Sequence, residues 1–174
     1  MDEFIAFSLS IHQARKSRAG NAFENHLEYL FQQYGLYYSR NAITENNNKP
    51  DFIFPDIRAY SDSGFTTEYL TMLGLKTSVK ERWRQVLSEA DRLPHKYLAT
   101  LEPGISVKQT DQMQTRKLTL VLPSEIKATY KPEQYPAILT VGEFIKLVED
   151  RQISSAYTPP MLVVKKPKKP KKGK

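Results

Sequence analysis

The chain has 174 residues, 40% of them hydrophobic, with 26 Lys and Arg against 19 Asp and Glu, and it has no cysteine. This length suits one globular domain with a core of its own, and the lack of cysteine excludes disulfides, thiolate zinc sites and a cysteine nucleophile. No apolar run could span a bilayer, Met1–Ser10 carries acids where a secretory signal carries bases, and His12, His26 and His95 lack metal-ligand spacing, so the expectation is a soluble, cytoplasmic protein working through carboxylates, lysine or hydroxyls.

Ala22, Phe23, Leu27, Leu30, Phe31 and Tyr34 recur at helical spacing, which predicts an amphipathic helix over 20–34 ended near Gly35. Asn46, Asn47 and Asn48 predict a turn. A short strand follows at Asp51–Phe54, stopped by Pro55, and after a loop with Tyr60 and Gly64 a longer strand is predicted at Glu68–Lys76. Val79, Trp83, Val86, Leu87, Ala90 and Leu93 then form one apolar stripe, with Ser78 and Glu81 spaced as a capping box, so a helix is predicted up to Pro94. Tyr97–Leu101, Lys117–Leu122 and Ala137–Leu139 read as three further strands, and Thr140 with Glu143 caps a last helix through about Asp150.

The order α-β-β-α-β-β-β-α argues for an α/β fold with a mixed five-stranded sheet flanked by helices. Residues 1–160 read as one domain and 161–174 as a disordered tail rich in Lys and Pro. That tail explains the net charge of +7: without its seven lysines the rest is formally neutral, nineteen bases against nineteen acids. It suits loose attraction to phosphates or simple solubilisation, so the charge alone does not argue for DNA.

The functional signal is a constellation. Pro50-Asp51 opens one strand, Lys76 closes the next, and Glu89 falls on the flank of the helix predicted after it. Two carboxylates suit Mg²⁺, which takes hard oxygen ligands and completes its shell with water and phosphate oxygens. A lysine beside them can orient the attacking water and offset charge on the phosphorane. Glu24 is a further candidate acid for a second ion or a metal-bound water. Each residue alone has an ordinary reading, as a turn, a solvated strand end or a surface ion pair.

The stretch Lys76-Thr-Ser-Val-Lys80-Glu81-Arg82-Trp83-Arg84-Gln85 through Glu89-Ala90-Asp91, together with Ser17 to Glu24 and Lys49-Pro-Asp-Phe-Ile-Phe54, resembles the EcoRII C-terminal catalytic domain family of type II restriction endonucleases. The resemblance covers most of the chain and excludes the tail. It implies a PD-(D/E)xK nuclease fold in which the second metal acid has left the strand for the helix. Lys76 followed thirteen residues later by Glu89 matches that pattern, and Gly74 stands where the usual strand acid would be.

The resemblance also implies that Lys80, Glu81 and Arg82 read consecutive C:G pairs from the major groove. Arg and Lys can donate to guanine O6 and N7, and a carboxylate can accept from cytosine N4. Tyr60 matches a tyrosine near the family's active site. The implied activity is Mg²⁺-dependent cutting of both strands of double-stranded DNA at a CC/GG-type site, with CCWGG favoured and CCNGG next. It further implies a homodimer and a companion DNA methyltransferase acting in the same system. No counterpart of the family's separate effector-DNA domain is seen, which reads as a stand-alone enzyme or a catalytic fragment. Two other readings keep the fold: a sequence-specific DNA-binding module without cleavage, and a DNA repair nuclease. Base-reading residues argue against the repair enzyme, and a full Asp51, Lys76 and Glu89 set argues against the module.

Overall fold

The computed structural model describes residues 20–80 and 82–160. The expected lysine tail, Glu81 and residues Ser17, Arg18 and Ala19 lie outside the described residues.

The sheet has six strands, one more than expected, in the spatial order β1 to β6. They are β1 (Ser39–Arg40), β2 (Phe52–Phe54), β3 (Thr71–Leu75), β4 (Lys96–Ala99), β5 (Leu118–Leu122) and β6 (Ile138–Thr140). β1, β2 and β3 pair antiparallel, and β3, β4, β5 and β6 pair parallel, so the sheet is mixed. The added strand, β1, has two residues, too short for any period to show in the sequence.

Strand residues alternate between two cores, as a period of two requires. Ile53, Met72, Leu98, Leu120, Leu122 and Ile138 face one cluster. Phe52, Phe54, Leu73, Tyr97, Ala99 and Val121 face the other. The second cluster is closed by helix α1 (residues 20–33) through Phe23, Leu27 and Phe31, and by α5 (Val141–Ser155) through Phe144, Ile145 and Val148. Phe31 is the hub, with ring centroids 5.1 Å from Phe52 and 5.2 Å from Phe54, both edge-on. Gly35, at φ 66°, ends the turn that follows α1, and Leu36 N bonds back to Phe31 O at 3.0 Å.

The Thr140–Glu143 capping box is present, Glu143 N donating to Thr140 Oγ1 at 3.1 Å and Thr140 N to Glu143 Oε2 at 2.6 Å. The helix it starts runs to Ser155, past the expected end. α2 (Ile57–Ser61) lies in the predicted loop, capped by Asp56, which accepts from Ala59 N at 2.8 Å. α3 (Val107–Thr115), between β4 and β5, was not expected at all. α4 (Ser124–Lys127) is a single turn before β6.

The helix predicted over 78–93 is not formed. In its place is a short 3₁₀ segment, Trp83–Ser88, after which Glu89 is extended at φ −83° and ψ 141° and Ala90 is left-handed at φ 50°. The apolar stripe is nevertheless buried: Val79, Trp83, Val86, Ala90 and Leu93 all join the first cluster, with Leu87 packed at its edge. Distant side chains satisfy the backbone that an α-helix would satisfy internally. Asn48 Nδ2 donates to Ser88 O at 2.7 Å, and Lys96 Nζ donates to Glu89 O at 2.6 Å. Asp91 N donates to Glu45 Oε2 at 3.2 Å.

Candidate active site

The site is built where β2 begins and β3 ends. Antiparallel pairing of these strands sets Phe52 against Leu73 and brings Asp51, one residue earlier, beside the last residue of β3. Leu75 N donates to Asp51 Oδ2 at 2.6 Å, which fixes that carboxylate. Lys76 continues from β3, its backbone N held by Ala99 O of β4 at 3.1 Å.

Glu89 arrives from the segment that connects β3 to its neighbour β4, just past the 3₁₀ turn. Its Oε1 lies 3.7 Å from Lys76 Nζ, and its Oε2 is buried without a hydrogen-bond partner. A Cβ on Gly74 would stand 3.1 Å from Glu89 Oε2 and 3.0 Å from Val86 Cγ1. The glycine thus leaves the space that the Glu89 carboxylate fills. Asp51, Lys76 and Glu89 are brought together as the spacing predicted, although Glu89 sits just past a 3₁₀ segment rather than on a helix flank.

Burial pushes both carboxyls above their ordinary range. For Asp51, desolvation leads, opposed by the Leu75 amide and the Lys76 charge and reinforced by Glu24. For Glu89, desolvation again leads, opposed by Lys76 and reinforced by the negative charge of Asp51. Glu89 therefore senses the charge of Asp51 across the site, and holding both as anions costs free energy that a cation would offset.

Asp51 and Lys76 lie on a cleft of about 590 Å³ that is also lined by Gly20, Glu24, Lys80 and Arg82. Lys80 is exposed, with Nζ 3.7 Å from Glu102 Oε1, and Arg82 is exposed beside it. Glu24 faces this cleft from α1, held by Arg40 Nε at 2.6 Å and Asn41 Nδ2 at 3.1 Å. Tyr60 is not brought here: it is buried, and its hydroxyl donates to Glu45 at 2.6 Å to Oε2. Burial and that carboxylate push its pKa far up.

The donor chemistry fits Mg²⁺. Asp51 and Glu89 offer hard carboxylate oxygens, one of them an orphaned buried atom. Among the described residues no three Asp, Glu, His or Cys side chains form a ready metal cage.

Sequence reasoning passed over two residues of this region. Arg40 gives no local signal. Lys96 does, as a charge opening an otherwise apolar strand, Lys96-Tyr-Leu-Ala.

The family model described as EcoRII C terminal matches residues 1–145. The chain belongs to the EcoRII C-terminal family. It is 45% identical over 146 residues to the type II restriction enzyme EcoRII of Escherichia coli, covering 83% of this chain and 36% of that protein. It is 26% identical over 152 residues to the type II restriction enzyme SsoII of Shigella sonnei, covering 80% of this chain and 48% of that one. The chain thus spans between about a third and a half of these curated relatives. Among solved structures, metal-depleted Ecl18kI in complex with uncleaved DNA matches with a TM-score of 0.74 at 24% identity, over 88% of this chain and 52% of that one. The complex with uncleaved, modified DNA gives 0.75 at the same identity and coverage. At that identity the likeness shows the fold, the restriction-endonuclease type expected for the EcoRII C-terminal family. No helix among the described residues is long and apolar enough to cross a membrane.

Proposed function

We propose that this chain is the catalytic part of a type II restriction endonuclease, hydrolysing both strands of double-stranded DNA at a CC/GG-type site, CCWGG first and CCNGG next. The observation that carries the reading is the meeting of Asp51, Lys76 and Glu89 at the end of β3, with Gly74 cut back to admit the glutamate.

Asp51 and Glu89 would hold Mg²⁺. When bound, the ion supplies Lewis-acid polarisation of the phosphodiester and neutralises charge on it. Lys76 orients the attacking water and offsets the negative charge that grows on the phosphorus oxygens as the P–O bond breaks, leaving a 5′-phosphate and a 3′-hydroxyl. Leu75 N keeps Asp51 aimed. Glu24, already bonded to Arg40, acts on Asp51 by its charge and stands as a further acid on the cleft wall.

Lys80, Glu81 and Arg82 would read the bases. Lys80 and Arg82 line the same cleft as Asp51, so readout and chemistry share one surface. Tyr60 keeps a supporting place, because its hydroxyl also accepts from Arg92 N at 3.3 Å next to the Glu89 turn. The working unit is a homodimer acting in the bacterial cytoplasm beside a companion methyltransferase that protects the host's sites.

Incubating the protein with unmethylated plasmid and Mg²⁺ tests this directly. Discrete fragments ending at CC/GG sites are expected, with no cutting by Asp51→Ala and weakened site binding by Lys80→Ala. Random degradation would point to a repair nuclease, and binding without cutting to a DNA-binding module.

A further inference from the structure

The turn that delivers Glu89 has little local structure to hold it. The 3₁₀ segment stops at Ser88 and Ala90 is left-handed, a conformation that is unfavourable for a non-glycine residue. Alanine at φ 50° persists where something outside the turn fixes it.

Lys96 supplies that hold. It is 5% exposed, on the rigid strand β4, and its ammonium donates to Glu89 O at 2.6 Å and to Ala90 O at 2.5 Å. Among the described residues no ion pair engages it. Lysine is rarely buried without a paired anion, because the charge loses its hydration. An apolar side chain here would avoid that cost but leave the Glu89 and Ala90 carbonyls without this donor. A tetrahedral ammonium, in contrast, can donate to two successive carbonyls at once with charge-assisted bonds, which an aliphatic chain cannot do.

We infer that Lys96 is a positioning residue for Glu89: by clamping the carbonyls of Glu89 and Ala90 it fixes the turn that sends the Glu89 carboxylate over Gly74 to Lys76. Asn48 assists through its bond to Ser88 O. This rests on the reading of Glu89 as a metal ligand, and it makes the ligand's geometry depend on a strand residue that never touches the ion.

The test is calorimetric titration of Ca²⁺ into the whole chain bound to a duplex carrying CCAGG, with melting temperature and metal-free DNA affinity measured alongside. Lys96→Met is expected to weaken Ca²⁺ binding about tenfold or more, the usual effect of losing the group that orients a metal ligand. Lys96→Gln, whose neutral NH₂ sits on a stem one bond shorter, falls between. Asn48→Ala, at a half-buried position outside the core, shows a smaller loss of the same kind and keeps the test open if Lys96→Met does not fold. Val148→Ala, destabilised in the second core cluster on the opposite face of the sheet, should leave Ca²⁺ affinity unchanged. If Glu89→Gln abolishes Ca²⁺ binding while both Lys96→Met and Asn48→Ala retain it, the positioning role is overturned and the site reading stands. If Glu89→Gln itself binds Ca²⁺ normally, the metal-ligand reading fails and takes this inference with it.

Discussion

Asp51 and Glu89 set the pH behaviour of the site. Both carboxyls are raised, chiefly by burial. A carboxyl raised in the folded state gives its full stabilising contribution below its unfolded value, about pH 4, and that contribution is lost as pH rises through the folded value. Metal affinity runs the opposite way, since only ionised carboxylates bind. In metal-free buffer, wild type should therefore lose melting temperature relative to Asp51→Asn/Glu89→Gln as pH climbs from about 4 toward neutrality. Over the same window Mg²⁺-dependent cleavage should rise. Scanning calorimetry with and without Mg²⁺ checks both; a metal-free wild type that gains on the double variant with rising pH refutes the assignment. Gly74 offers a steric counterpart. Its replacement by alanine sets a methyl 3.1 Å from Glu89 Oε2 and 3.0 Å from Val86, so Gly74→Ala is expected to cost about 1–3 kcal/mol by overpacking and to weaken metal binding by displacing the carboxylate. A crystal structure of the variant with Glu89 unmoved would contradict this. Lys76→Ala should slow cleavage by about 10²–10³-fold with DNA binding retained, as for other groups that meet developing charge.

At the scale of elements, what the sequence made legible was burial rather than conformation. The stripe from Val79 to Leu93 marked the right residues as core, yet no helix forms, because Lys96 on β4 and the distant Asn48 and Glu45 satisfy the backbone around Glu89. Helical propensity is a weak prior against such bonds, and a left-handed Ala90 is invisible in a residue that favours helices. α3 was missed for the converse reason. Ser106 and Gln109 form a true capping box, with Gln109 N donating to Ser106 Oγ at 3.3 Å, but the helix they start is polar on most faces and shows no stripe. Asp51, Lys76 and Glu89 were legible through their chemistry and through the resemblance of the stretch around them to a known family, neither of which depends on the local conformation that carries Glu89. α1, read correctly, depends on Phe31, wholly buried among Phe52, Phe54 and Phe144. Phe31→Ala should cost about 3–5 kcal/mol in denaturant unfolding. It should also loosen the wall that carries Glu24, and a loss below 1 kcal/mol would mean α1 is held by something other than this aromatic hub.

For the molecule as a whole, each chain carries one Asp51, Lys76 and Glu89, whereas a duplex has two antiparallel strands to cut. A two-fold target is met most simply by two chains related by the same symmetry, each placing its cleft on one strand. If so, the sites act on separate bonds and can be inactivated separately. Wild-type protein mixed with an excess of Asp51→Ala, allowed to exchange subunits, should form mixed dimers with one working site. Supercoiled plasmid carrying one CCAGG should then accumulate as the nicked circle, while wild type alone gives linear product with little nicked intermediate. The ratio of nicked to linear DNA, read on a gel against the mixing ratio, distinguishes the arrangements. Cutting that merely falls in proportion to the wild-type fraction, with no nicked excess, would mean that one chain visits both strands in turn and that dimerisation plays no part in the double-strand break.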